Sequence, residues 1–290
     1  MAEVEAVVEC KDILGEGPIW NTREQRLYWC DISRPAIQSY DPAGGQVRAW
    51  EMPEEVGSFV FREQGGIVAG LKSGFAFVDL ETGRVEPVAE VEAELPSTRL
   101  NDGKCDRRGR YWCGSVDPER EPRCGLYRLD ADLSCRKMDG GFCVSNGIAW
   151  SPDNKTMYFS DTARETVYAY DFDIESGEIA NRREFITTWD IEGYIDGATV
   201  DAEGFYWCAH IYGGEIARYD PAGKLERTIP LPVRHPTMCT FGGKDLDMLY
   251  VTCGTKFVKE KLAHTQPLAG ALFAIHGVEA RGIPEPFFAG

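Results

Sequence analysis

Oxygen-bearing side chains recur beside glycine at one phase of this sequence. The pairs are Glu16-Gly17, Asp102-Gly103, Asn146-Gly147 and Asp196-Gly197. Val56-Gly57 falls in the same phase, and His235-Pro236-Thr237 stands sixth in the series. Arg99 and Asn101 lie just before Asp102. If these positions converge, three carboxylates meet in a small ring. Their repulsion is costly unless a proton or a cation lies among them. Carboxylate and amide oxygens, without Cys or His, suit a hard divalent cation. Taken singly, each Asx-Gly pair reads as a turn dipeptide. The shared phase argues for more than turns, and Glu16 is poor turn material.

Convergence needs elements that carry the phase, and a repeat supplies them. Leu27-Tyr28-Trp29-Cys30 matches Arg110-Tyr111-Trp112-Cys113 and Phe205-Tyr206-Trp207-Cys208. Weaker copies centre on Ile67, Tyr158 and Tyr250. The steps from Tyr28 through Ile67, Tyr111, Tyr158, Tyr206 and Tyr250 run from 39 to 48 residues, the period of a four-stranded propeller blade. Each copy is aromatic and β-branched, as strands are, and a turn signal precedes it. A second short strand follows each, as at Ile37–Tyr40, Val167–Tyr170 and Leu272–Ile275, mostly running into Asp and a glycine-bearing hairpin. The expected fold is all-β: a single six-bladed β-propeller spanning residues 1–290.

In such a ring the first strand of each blade lines the central channel. The X-Gly pairs open those strands, so their side chains should meet at one mouth. Val4–Glu9 reads as a strand that completes the last blade and ties the chain ends together, sparing an open edge. Position four of the repeat holds Cys30, Ala69, Cys113, Ser160, Cys208 and Thr252, all small. It is expected to face the next blade, with cysteine acting as a small hydrophobe.

Composition narrows the function classes. The 31 basic and 47 acidic residues give a net charge of −16, which repels nucleic acid and anionic lipid. No eighteen-residue apolar run predicts a membrane helix, and the acidic start is unlike a secretory signal. Ten cysteines without C-x-x-C spacing read as reduced thiols in a cytoplasmic protein. There is no H-E-x-x-H or G-x-S-x-G, and four histidines give a Ser-His-Asp triad thin support. His210 reads as structural, and His235 as able to reach the mouth and touch substrate. Asp171–Gly177 reads as a hairpin rather than a calcium loop, because Arg182 stands where that loop needs Glu.

Several stretches carry a family likeness. Leu14-Gly15-Glu16-Gly17-Pro18, Arg99-Leu100-Asn101-Asp102-Gly103-Lys104, Ser145-Asn146-Gly147-Ile148-Ala149-Trp150-Ser151-Pro152-Asp153 and Ile195-Asp196-Gly197 resemble the gluconolactonase/regucalcin (senescence marker protein) family. So do Phe241-Gly242-Gly243 with Leu249-Tyr250-Val251-Thr252, and Gln266-Pro267-Leu268-Ala269-Gly270. The resemblance implies one divalent cation in the channel: calcium, zinc, manganese or ferrous iron. It implies hydrolysis of a sugar lactone, a pentono- or hexonolactone, to its aldonic acid. By the same likeness Glu16, Asn146 and Asp196 hold the metal, while Arg99 and Asn101 bind substrate. A lid glutamate of the family corresponds to Glu119, or else Glu121, although Asp117–Arg123 departs from the family pattern.

On that reading the cation polarises the carbonyl and acidifies water, and Asp196 takes a proton. Arg99 stabilises developing negative charge, and Asn101 orients the sugar. Two alternatives stand beside it. One is a non-catalytic, cation-binding propeller, which would not need this polar set. The other is an esterase or phosphotriesterase, which would want a more apolar mouth. Oligomeric state is left open.

Overall fold

The computed structural model describes residues 2–290. It holds six four-stranded sheets, and each is a meander of antiparallel neighbours. Blades 1 to 5 span residues 15–51, 56–90, 99–142, 145–187 and 194–230. Blade 6 takes three strands from residues 236–276 and its fourth from the chain start. There Glu3–Val8 pairs antiparallel with Leu272–His276, as the expected closure requires. The six-bladed β-propeller read from the repeat is the fold of this chain.

Burial explains why the repeat was visible. The second strands, such as Arg26–Asp31, Tyr111–Val116 and Tyr206–Ile211, are buried along nearly their whole length. Blades pack on both of their faces, so alternation gives way to continuous apolar sequence. The outermost strands face water; Val47–Glu51 is mostly exposed. The buried indoles each need an acceptor. Trp112 donates to Asp106 Oδ2 (2.8 Å) and Trp207 to Asp201 Oδ2 (2.8 Å), both from the turn just before the strand. Trp29 uses Asp12 Oδ2 (2.7 Å), from the segment that links blade 6 to blade 1.

The small repeat position is tight. Cys30, Cys113 and Cys208 are fully buried, and all ten cysteines are free thiols. Cys30 Sγ meets Gly57 O of the following blade (3.8 Å). Cys113 Sγ instead meets Ser58 Oγ of the preceding blade (3.5 Å), so the position serves both seams. Asp171–Gly177 joins two strands of blade 4, with Gly177 N donating to Asp173 O (2.7 Å).

Residues 277–290 run as a strap under the ring. Ala202 N bonds Arg281 O (2.8 Å), Phe288 N bonds Phe61 O (2.7 Å) and Ala289 N bonds Gly109 O (3.0 Å). Glu285 of the strap meets Lys104 Nζ of blade 3 at 2.9 Å. Two short 3-10 turns, Thr162–Arg164 and Glu260–Thr265, are the helical segments described. No helix among the described residues is long and apolar enough to cross a membrane.

Candidate active site

The first strands are Gly15–Asn21, Val56–Phe61, Arg99–Cys105, Ser145–Trp150, Tyr194–Val200 and Pro236–Gly242. Every one breaks register with its neighbour near its opening end. The breaks fall between Glu16 and Ile19, Val56 and Ser58, Leu100 and Gly103, Asn146 and Ala149, Ile195 and Ala198, and Pro236 and Met238. A bulge bends its strand and re-aims one side chain. The recurring X-Gly pairs are therefore bulges inside strands, not turns between them. The glycines also let blades approach. A Cβ on Gly57 would lie 2.3 Å from Leu100 O of blade 3, and one on Gly147 would lie 2.3 Å from the Tyr206 hydroxyl of blade 5. That hydroxyl donates to Gly147 O (2.9 Å).

Two aspartates hold the segments that lead into these strands. Asp31 accepts Ile13 N (2.9 Å) and Leu14 N (3.1 Å), just ahead of Glu16. Asp161 accepts Cys143 N (3.0 Å) and Val144 N (3.0 Å), just ahead of Asn146. Both carboxylates are fully buried. Both directly follow the small repeat position, after Cys30 and Ser160. That signal is legible in the sequence as an Asp directly after the small position.

A hydrogen-bonded chain then crosses three blades. Arg99 Nη1 donates to Asn101 Oδ1 (2.6 Å) and to Leu100 O (3.0 Å). Asn101 Nδ2 donates to Asn146 Oδ1 (2.9 Å) and Ser145 O (2.8 Å). Asn146 Nδ2 donates to Thr162 Oγ1 (2.8 Å), whose hydroxyl donates to Ile195 O (2.7 Å), beside Asp196. Thr162 was not foreseen, because nothing in the repeat marks a 3-10 turn there. The chain turns Asn146 Oδ1 toward Asn101 and leaves it one further lone pair.

Glu16 and Asp196 are buried, at 8% and 6% exposure, and take no side-chain donor among the described residues. Burial raises the pKa of Glu16, and repulsion from Asp196 and Asp102 adds to it. Burial likewise raises Asp196, with Asp102 as the charge against it and the Arg99 cation in partial relief. Asp102 lies deeper. Its Oδ2 accepts Ile148 N (3.1 Å), its Oδ1 is buried without a partner, and Lys104 offsets part of its burial cost. The convergence argued from the phase is thus present among Glu16, Asp102 and Asp196.

His235 sits at the rim of this set. It is 5% exposed, and its ring packs edge-on against Tyr212 with centroids 5.0 Å apart. Its Nδ1 is buried without a partner. Burial, then Arg234, lowers its pKa, so the ring is neutral near pH 7. Glu119 is not brought to the set. Its side chain is 70% exposed and pairs with Arg123 (2.6 Å), which also binds Asp117 (2.6 Å). His210 is fully buried between Glu215 (3.1 Å at Nδ1) and the Tyr219 hydroxyl (3.1 Å at Nε2), a structural place as read.

These groups fit a hard cation. Two buried carboxylates without side-chain donors, beside an amide oxygen with a free lone pair, form an oxygen donor set that a positive charge would relieve. Among the described residues no three His, Cys, Asp or Glu side chains cluster as ligands, so the amide of Asn146 is needed. A cavity of about 1200 Å³ lies elsewhere. It is lined by Trp50, Arg62 and Phe77 of blades 1 and 2, and none of the candidate residues lines it.

The sequence model of the SMP-30/Gluconolactonase/LRE-like region matches residues 14–255. A 6-deoxy-6-sulfogluconolactonase of Pseudomonas putida is 40% identical over 291 residues, covering 99% of both chains. Regucalcin of Gallus gallus is 36% identical over 295 residues, again covering 99% of both. A solved structure of a calcium-binding protein, regucalcin, from Agrobacterium tumefaciens strain C58 superposes with a TM-score of 0.94 at 26% identity. The match covers 98% of this chain and 97% of that one.

Proposed function

This chain belongs to the SMP-30/gluconolactonase/LRE-like family, and on that premise we propose that it is a lactonase that opens an aldonolactone to its aldonic acid with a divalent cation held by Glu16, Asn146 and Asp196. One observation carries the reading. Two buried carboxylates without a side-chain donor stand at the channel mouth, and the Arg99–Asn101–Asn146 chain runs up to them.

A cation bound there supplies Lewis acidity toward the carbonyl and acidifies water. The protein's own groups do the rest. Asp196 takes the proton of the attacking water at a carboxylate oxygen that the cation leaves free, the neighbouring positive charge drawing its pKa back down. As the ring C–O bond breaks, the proton passes to the departing ring oxygen. The Arg99 guanidinium stabilises the negative charge that develops on the carbonyl or ring oxygen. Asn101 has spent both N–H donors on Ser145 and Asn146. It meets the sugar only as an acceptor, and its main work is to aim Arg99. His235, neutral and at the rim, lines the sugar's path.

The substrate is a small molecule. The acidic surface disfavours nucleic acid and anionic membrane, and ten free thiols fit a cytoplasmic setting. We read the ring as one domain. A second reading, a non-catalytic cation-binding propeller, draws on the Agrobacterium tumefaciens relative, described as calcium-binding. The buried Arg99–Asn101 pair favours the enzyme, because cation binding alone has no use for a guanidinium.

The test is a panel of pentono- and hexonolactones assayed by acid release. The protein is first stripped by chelation, and calcium, zinc, manganese and ferrous iron are then restored singly. Activity should vanish on stripping and return with at least one cation. Full activity in the stripped protein would remove the cation from the mechanism, and no activity under any condition would leave the cation-binding reading.

A further inference from the structure

Beside the channel mouth lies a second cavity of about 450 Å³, lined by Arg120, Glu165, Trp189, Ile191, Tyr194 and Tyr212 among others. It adjoins the candidate site through three elements. Tyr194 stands two residues before Asp196 on the same strand. Tyr212 packs edge-on against Tyr194 (5.8 Å) and His235 (5.0 Å). Glu165 caps the 3-10 turn whose Thr162 holds Asn146.

Two features mark this cavity as built for a ligand. The first is backbone conformation. Arg120 (φ 59°), Glu165 (φ 55°) and Tyr212 (φ 69°) all sit in the left-handed region, uncommon for residues other than glycine. Such conformations persist where surroundings impose them, and they gather at ligand sites. The second is charge. The arginines nearby are satisfied: Arg123 by Asp117 and Glu119, Arg164 by Asp161 and Arg234 by Glu192. Arg120 has no ion pair and no side-chain hydrogen bond among the described residues, although the chain carries 16 more acidic than basic groups. Glu165 shares its cavity, yet no ion pair joins them. Tyr212 ties the two ends together, because it lines this cavity with Arg120 and packs against His235 at the mouth. Trp189, 66% exposed, offers a flat apolar face at the same place.

We propose that this cavity is an outer subsite for the far end of the lactone, and that Arg120 reads an anionic group, a sulfonate or a phosphate, on its exocyclic carbon. The inference rests on the lactonase reading. The lactone carbonyl lies at Asp196 and Arg99, the sugar passes His235 and Tyr212, and its terminal substituent reaches Arg120. The planar guanidinium can give two parallel N–H bonds to a pair of oxygens on such an anion. Glu165 and the tyrosine hydroxyls are left to the sugar's own hydroxyls.

The test compares glucono-δ-lactone with 6-phosphoglucono-δ-lactone and 6-deoxy-6-sulfogluconolactone, in the wild type, Arg120→Asn and Arg120→Lys. Asparagine is chosen because it tolerates left-handed backbone. The wild type should favour at least one anionic lactone over the neutral one by about 10-fold or more in kcat/KM, the order of one charge-assisted hydrogen bond. Arg120→Asn should erase most of that preference, with the loss mainly in KM, and Arg120→Lys should restore part of it. Calorimetric binding of 6-phosphogluconate against gluconate, with and without Arg120, asks the same question without turnover. A wild type that favours the neutral lactone, or an Arg120→Asn variant that keeps the full preference, overturns the subsite. A wild type that binds the anionic aldonate through Arg120 but opens no lactone keeps the subsite and removes the lactonase reading instead.

Discussion

Glu16 and Asp196 are placed where neither would choose to ionise, both buried, Glu16 against the charges of Asp196 and Asp102 and Asp196 against that of Asp102. Replacing either by its amide removes that repulsion. Glu16→Gln and Asp196→Asn should therefore lose at least about 10³-fold in lactonase activity, the scale on which a catalytic base and a polarising cation act together. Both should fold normally and melt no lower than the wild type in the presence of chelator. Retained activity in either variant would sink the assignment. A different residue makes its own contribution to acid stability. Burial lowers the pKa of His210 below the usual histidine range. The unfolded chain then takes a proton that the folded chain refuses. Stability from this group is complete above the unfolded pKa of about 6.5 and is lost as pH falls below it. His210→Gln should lose less melting temperature, or gain more, than the wild type between pH 7 and pH 5, the raised carboxylates acting alike in both proteins. Parallel pH profiles for the two proteins would contradict it. Glu119 shows the limit of reading one residue at a time. Its position matched a lid glutamate by likeness, but Arg123, four residues further on, pairs with it in solvent.

At the scale of elements, the first strands do their work through a shared irregularity. Each bulges at one level, and each bulge aims a side chain at the mouth. The sequence showed the X-Gly pairs but not their conformation, since the same dipeptides make turns. Deciding between bulge and turn takes the neighbouring blade, whose Leu100 O and Tyr206 hydroxyl leave room only for glycine. Asp31 and Asp161 complete the placement by binding the backbone just ahead of Glu16 and Asn146. Asp161→Ala strands two buried N–H groups, at a cost of about 2 kcal/mol or more. It should lower activity by about 10- to 100-fold through misplacement of Asn146. Amide exchange at Cys143 and Val144 should speed up while blade 2 stays protected. Unchanged exchange there would show that Asp161 does not hold this segment.

For the molecule as a whole, closure is the decisive act. Glu3–Val8 seals blade 6, and the strap at 277–290 ties blades 2, 3 and 5 beneath the ring. Deleting residues 1–10 would expose the edge of Leu272–His276 and free the segment that carries Asp12, the acceptor for Trp29. The truncated protein should melt several degrees lower and associate at its free edge, as scanning calorimetry and light scattering would show. An unchanged melting temperature would mean that the seal is dispensable. The sequence by itself determined the blade count, the strand order and the phase on which Glu16, Asn101, Asn146 and Asp196 fall, because a buried strand between two blades must be apolar and must recur. Only the tertiary structure decided which oxygens point into the mouth, that Asn101 is spent on its neighbours, that Asp102 lies below the others and that Arg120 faces the same side as Asp196. Those facts depend on contacts between blades some forty residues apart, and no local pattern encodes the distance across a channel.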